Sequence, residues 1–158
     1  MRATDLLRQD HEHVQALFQR LEAAGPGDER QSLLDEIADE LEVHAQIEEE
    51  IFYPAAREVS ARVDDHVAGH QHLRSVIGQT QGHDPASAEF LRGALLIRQV
   101  VVTHVAEEEG GLFLDAARLG PEALERLGTR MEERKQTLKT SPVQRGARKL
   151  EQAPRKAA

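Results

Sequence analysis

A chain of 158 residues with 39% apolar side chains suits a single domain, and 3% aromatics argues against a β-rich fold. Cysteine is absent, which excludes disulfides, iron–sulfur clusters and thiolate zinc sites, so any metal must be held by nitrogen and oxygen. The net charge of −8 is uneven: residues 134–158 carry eight Lys/Arg and one acidic residue, Glu151, leaving 12 basic against 27 acidic residues elsewhere, and such an acidic body argues against nucleic acid as a partner.

Met1-Arg2-Ala3-Thr4-Asp5 runs straight into a charged amphipathic stretch, with no signal-peptide pattern. No apolar run approaches the roughly 20 residues that span a bilayer. The expectation is a soluble, cytoplasmic protein with no membrane partner, a monomer or weak homo-oligomer.

Long stretches of Leu, Ala, Glu, Gln and Arg, punctuated by Gly and Pro, predict helices throughout. The first spans about 4–24, with Leu7, His11, Val14, Phe18 and Leu21 as its inward stripe. Gly25-Pro26-Gly27 ends it, and Asp28 is placed to cap a second helix over 29–58. Its stripe is Leu34, Ile37, Leu41, His44, Glu48 and Ile51, and Pro54 should kink or end it near Phe52. A third helix over 63–81 turns Val63, His66, His70, Leu73 and Ile77 inward. After Asp84-Pro85, with Asp84 or Ser87 as cap, a fourth over 87–118 carries Phe90, Ala94, Ile97, Val101, His104 and Glu108, then Gly111 or Leu112. Gly120-Pro121 opens a fifth over 121–139. Ser141-Pro142 and Arg145-Gly146 break the pattern beyond it. Short connections make neighbouring helices antiparallel. The expected architecture is all-α: an up-down-up-down four-helix bundle over 1–118, a short C-terminal helix within 119–140, and a disordered basic tail over 141–158.

A weak repeat relates the two halves of the bundle. Asp10-His11-Glu12-His13-Val14 resembles Gly69-His70-Gln71-His72-Leu73, and His44 to Glu50 resembles His104 to Glu109, so the chain reads as two copies of one helical hairpin.

Each inward stripe is apolar except for one segment, which carries His or Glu. Residues four apart stack on one helix face with Cβ atoms about 5–6 Å apart, so His44/Glu48, His66/His70 and His104/Glu108 can each grip one ion or span two. A lone imidazole on an apolar stripe is commonly a hydrogen-bonded core residue, and a lone His-x-x-x-Glu is commonly a solvated pair. Seven such groups on four inward stripes are another matter. Left unpaired, each would cost roughly 2–7 kcal/mol, against about 5–15 kcal/mol of net stability for a typical domain. Five imidazoles and two carboxylates exceed one tetrahedral zinc and suit two metal ions with a coordination position to spare. The metal-ligand candidates are His11, His44, Glu48, His66, His70, His104 and Glu108. His13 and His72 lie about 200° round their helices from a ligand and should face away, although His72 could replace a neighbour if its helix rotated. His83 lies in a turn. Glu49, Glu50, Glu107 and Glu109 read as solvated charges, with Glu109 the rival to Glu108: the Phe113 segment matches the Phe52 segment with one residue inserted, so a bulge would deliver Glu109 instead. Tyr53, the one tyrosine, is rim packing unless the Pro54 kink turns its hydroxyl toward the metals.

These residues resemble the hemerythrin-like, HHE cation-binding family: His11 within Asp-His-x-x-Val, His44-x-x-x-Glu48, His66-x-x-x-His70 and His104-x-x-x-Glu108, across about residues 4–118. The resemblance implies a four-helix bundle holding two iron ions as an oxo- or hydroxo-bridged di-iron centre, with the two carboxylates as bridges. (A member of the wider family is among the standard examples of this bundle.) It implies oxygen, hydrogen peroxide or nitric oxide as the small-molecule partner. A catalase-like peroxide-decomposing enzyme leads. The alternative is an iron or oxygen sensor, or an oxygen-binding or storage protein without turnover; a zinc-stapled bundle with no redox role is a third reading. Ferritin-like bundles use Glu-x-x-His and a carboxylate-rich set instead. Two features depart from oxygen carriers of the family. They place the fourth-helix carboxylate five residues after the histidine, where this chain offers both four and five, and the segment after residue 118 has no counterpart in the minimal bundle.

Overall fold

The computed structural model describes residues 1–141, and the tail expected over 142–158 lies outside them. Helix α1 (Ala3–Ala23) ends where Ala24 turns extended, and Gly27, at φ 109°, supplies a backbone conformation that side chains resist. Helix α2 (Asp28–Ile47) begins there. Asp28 is its first residue rather than its cap, so with Glu29 it complements the helix dipole without a capping bond. Helix α3 (Val63–Gln81) has Asp64 and Asp65 in its first turn. Helix α4 (Ala88–Glu107) is capped by Ser87, whose hydroxyl accepts from the Phe90 N–H at 3.2 Å. Gly120, at φ 88°, redirects the chain into α5 (Pro121–Thr140), where Pro121 sits in the first turn.

Helices α2 and α4 do not stop at their last α-helical residue. Each passes into a π-helical turn, Glu48–Phe52 and Glu108–Leu112, and then into one more α-helical turn, Tyr53–Ala56 and Phe113–Ala116. Proline removes a backbone donor, and its ring crowds the carbonyl four residues earlier. Widening the helix before Pro54 relieves that crowding, so the helix continues where a break was expected. In the second copy Gly110-Gly111, two weak helix formers, occupy the wide turn. Both wide turns begin at the inward glutamate. The Glu48 N–H still reaches His44 and the Glu108 N–H still reaches His104, so each His-to-Glu step keeps its α-helical register. The structure also corrects the pairing of the copies: Tyr53, not Phe52, is the counterpart of Phe113, each being the first residue after its wide turn.

α1 packs on α2 and α3 on α4, and α5 lies across α1 and α2. The interior is two apolar clusters with a polar layer between them. One gathers Leu7, Ile47, Phe52, Phe113 and Met131; the other gathers Val14, Phe18, Leu34, Phe90 and Ile97. α5 contributes Leu124, Leu127, Met131 and Leu138 to the first. It approaches the N-terminus closely at Gly128, where an added Cβ would fall 2.9 Å from the Ala3 nitrogen.

Candidate metal centre

The polar layer contains all seven candidates. His11, His44, Glu48, His66, His70 and Glu108 are buried and His104 nearly so, the two carboxylates having no exposed surface. Ligand-type atoms of His11, His44, Glu48 and Glu108 lie within 4.8 Å of one another, as do those of Glu48, His70 and His104, and those of His66, His104 and Glu108. Glu48 and Glu108 each belong to two groups, the placement a bridging carboxylate needs. The unbroken stripe brings Glu108 among these atoms, and the wide turn starts at that residue, too late to deliver Glu109. His13, His72 and His83 are exposed.

Three of the glutamate and aspartate neighbours are more than solvated charges. Glu109 Oε1 accepts from His11 Nδ1 at 2.7 Å and Glu49 Oε1 from His70 Nδ1 at 2.8 Å; Asp10 Oδ2 lies 3.4 Å from His44 Nδ1. An imidazole that gives its Nδ1 proton outward presents an Nε2 lone pair inward, which is how carboxylates orient histidines for metals. The repeat held the signal for two of them, since Glu49 and Glu109 each follow the inward glutamate directly. The halves also match in their ring contacts. Tyr53 stacks on His70 at 5.4 Å and Phe113 on His11 at 6.0 Å between centroids. The Tyr53 hydroxyl lies 3.1 Å from Glu108 Oε1, 3.2 Å from Glu48 Oε2 and 3.2 Å from His70 Nε2. The wide turn rotates it there.

The donor set leaves polar atoms without partners. Glu48 Oε1, His104 Nε2 and Glu108 Oε2 are buried and find no hydrogen-bond partner among the described residues. His11 Nε2 lies 3.2 Å from Glu108 Oε2, and its Nδ1 lies 2.7 Å from Glu109 Oε1. Cations among these atoms would satisfy them together, so the residues present fit a metal. Without one, the layer redistributes protons. Burial opposes charge on Glu48, but His44 and His70 beside it outweigh that and hold its carboxyl well below the usual range. Burial and the Glu48 carboxylate push Glu108 up to about 7. Burial opposes charge on His44 and His70 too, yet Glu48 raises both. Burial takes His104 down to about 3. Burial and the two carboxylates push the Tyr53 hydroxyl far up, so it stays protonated and donates.

A family model described as the hemerythrin HHE cation binding domain matches residues 2–114. A solved hemerythrin HHE cation binding domain-containing protein from Mycobacterium kansasii, a homolog of Rv2633c, superposes with a TM-score of 0.78 at 22% identity, covering 96% of this chain and 99% of that one. The uncharacterized protein Rv2633c of Mycobacterium tuberculosis is 29% identical over 152 residues, covering 90% of this chain and 91% of its own length. A DNA nickase of Nostoc sp. is 28% identical over 115 residues; the match covers 72% of this chain and only 33% of the nickase. Among the described residues no helix is long and apolar enough to cross a membrane.

Proposed function

Because the chain belongs to the hemerythrin HHE cation binding domain family, and so to a family of metal-binding proteins, we propose that it is a non-haem di-iron protein that binds small oxygen species and acts on hydrogen peroxide. Its organisation follows from that role: a metal-binding bundle over 1–118, a covering helix within 119–140 and a basic tail. The observation that carries the reading is the set of three partnerless buried atoms, Glu48 Oε1, His104 Nε2 and Glu108 Oε2. Burying them without partners would cost several kcal/mol; two cations remove that cost.

In this reading His11 and His44 would hold one ion, His66, His70 and His104 the other, and Glu48 and Glu108 would serve both. Bound iron would supply redox equivalents. The chain supplies the rest. Asp10, Glu49 and Glu109 fix three imidazoles with their Nε2 atoms inward. Tyr53 holds a proton at its hydroxyl oxygen, beside both carboxylates. The apolar clusters above and below shield the layer on those two sides. Elemental analysis of freshly purified protein with an optical spectrum tests the metal, and two irons per chain are expected. Oxygen evolution from peroxide tests the chemistry: two bound irons with no oxygen evolved would end the peroxide reading and leave the binding one.

One observation favours sensing as a second reading. Lys135 on α5 donates to Asp10 Oδ1, and Asp10 Oδ2 faces His44. The covering helix is thus one carboxylate away from a candidate ligand.

A further inference from the structure

Beside the His–Glu layer the interior opens into a cavity of about 320 Å³. His11, His44, His70 and His104 form its floor, and Val14, Leu73, Ile77 and Val101 stand in its walls. Glu48, Glu108, His66 and Tyr53 do not line it. The cavity therefore lies alongside the ligand cluster, on the side of the apolar cluster built around Phe18 and Phe90, and is not the space between the carboxylates.

Its mouth lies between α2 and α3. On one side of it Gln81 Nε2 donates to Asp35 Oδ1 at 2.9 Å, and on the other Arg74 Nε donates to Glu42 Oε2 at 2.9 Å. Midway between the bridges stand Ala38 on α2 and Gly78 on α3, and both line the cavity. Gly78 is exposed, and a Cβ added there would meet nothing within 4 Å. A mid-helix glycine weakens its helix relative to alanine. Here neither a positive φ nor a close backbone approach calls for one. Its effect is to leave the gap open.

The size and lining point to an occupant. An apolar cavity of about 150 Å³ already holds benzene. This chamber is larger than dioxygen or hydrogen peroxide requires and reaches the lower end of the roughly 300–1,000 Å³ of small-molecule sites, which are typically apolar with a few convergent polar groups. Among the described residues of the lining Arg74 is the one Lys or Arg, and it is already bound to Glu42 and Glu49, so an anionic head is disfavoured. We propose that the chamber binds an uncharged aliphatic molecule with one polar oxygen end, its chain against the apolar walls and its oxygen at the imidazole floor. The direction of the polar end rests on the di-metal reading of that floor; the binding of the chain does not.

The test is titration of straight-chain alkanols from ethanol to decanol into the full chain, iron-loaded and metal-free, followed by calorimetry and by the methyl signals of Val14, Leu73, Ile77 and Val101. Affinity should rise about fourfold per methylene until the chamber is full, with shifts confined to the wall methyls. Gly78→Phe, which fills open space, and independently Ala38→Phe, should weaken hexanol binding at least tenfold with iron content unchanged. No binding across the series in an iron-loaded chain overturns the chamber and leaves the metal reading intact. Equal hexanol binding by the wild type and by both folded variants also overturns it. Hexanol binding to a chain that takes up no iron supports the chamber and removes the orientation given to the polar end.

Discussion

Gly69 stands in the α3–α4 hairpin where Asp10 stands in the α1–α2 hairpin, the one directly before His70 and the other directly before His11. Asp10 faces His44 Nδ1 at 3.4 Å, whereas a Cβ added to Gly69 would lie 3.2 Å from His104 Nδ1. The two-fold repeat is therefore broken at this point: one imidazole leans on a carboxylate, and its counterpart fills the room a missing side chain leaves. His104 cannot keep its place if that room is taken. Gly69→Ala should tilt the ring and weaken the ion proposed for His66, His70 and His104, so iron content should fall from two toward one per chain. Elemental analysis under limiting iron reads this directly, and two irons retained at wild-type affinity would show that the ring has slack.

Glu108 and Glu109 are adjacent in sequence but act on opposite sides of the imidazoles. Glu108 is fully buried among the ligand atoms, and Glu109 accepts from the outer nitrogen of His11. Glu108→Ala should abolish binding of the second metal ion. Glu109→Gln should keep both ions and lower affinity by about ten- to a hundredfold, the usual cost of losing a carboxylate behind a ligating histidine. Competition with a chelator separates the outcomes; a reversed order of severity would move the fourth-helix ligand to Glu109.

Metal uptake should release protons. In the metal-free chain Glu108 is pushed up to about 7 by burial and the Glu48 carboxylate, and Glu48 raises His44 and His70 against the effect of their burial. Each is a protonated group that a cation must deprotonate. All three shifts are upward, so protons compete more strongly as pH falls, and affinity should drop by about tenfold per pH unit per displaced proton below about pH 7. His104, lowered to about 3 by burial, is neutral throughout this range and adds nothing. Calorimetry in buffers of different ionisation heat counts the protons, and pH-independent uptake between 6 and 8 would contradict the layer's charge state.

Much of this was legible from periodicity alone. Once helices are assumed, the three-and-four spacing places His11, His44, Glu48, His66, His70, His104 and Glu108 on inward stripes, and the structure gathers them in one layer. Periodicity failed at Pro54 and at Gly110-Gly111, where the helix widens and every later residue rotates. Periodicity alone therefore leaves Tyr53 between rim packing and a hydroxyl turned inward at Pro54, and it pairs Phe113 with Phe52. It also could not assign Asp10, Glu49 and Glu109, because a carboxylate bonded to the back of an imidazole sits at the edge of the stripe, where exposed glutamates also sit.

Tyr53→Phe gives the first hairpin the residue that the second already has at Phe113. The ring keeps its stacking on His70, and the fold should tolerate the change. What disappears is the proton donor beside Glu48 and Glu108. Two irons should remain, the optical spectrum should shift, and the reaction with peroxide should slow by at least tenfold, at the low end of what a positioned proton donor contributes. An unchanged spectrum with an unchanged rate would reduce Tyr53 to packing.

α5 offers the last test, because a chain of contacts links it to the layer. Lys135 binds Asp10, Asp10 faces His44, and both side chains of the ion pair are mostly buried. Arg134 with Glu50 and Lys139 with Glu40 hold the same helix at more exposed points. Removing an exposed pair typically costs no more than about 1 kcal/mol, whereas unpairing Asp10 also loosens a candidate ligand. Lys135→Ala should therefore lower metal affinity several-fold, and Arg134→Ala should leave it unchanged although both remove one cation from α5. The linkage is reciprocal: if Lys135 helps His44 bind, an ion on His44 helps α5 stay docked. Protease should cut within 121–140 faster in the metal-free chain, and Lys135→Ala should erase that difference. Equal cutting with and without iron would leave α5 as a cover with no part in signalling.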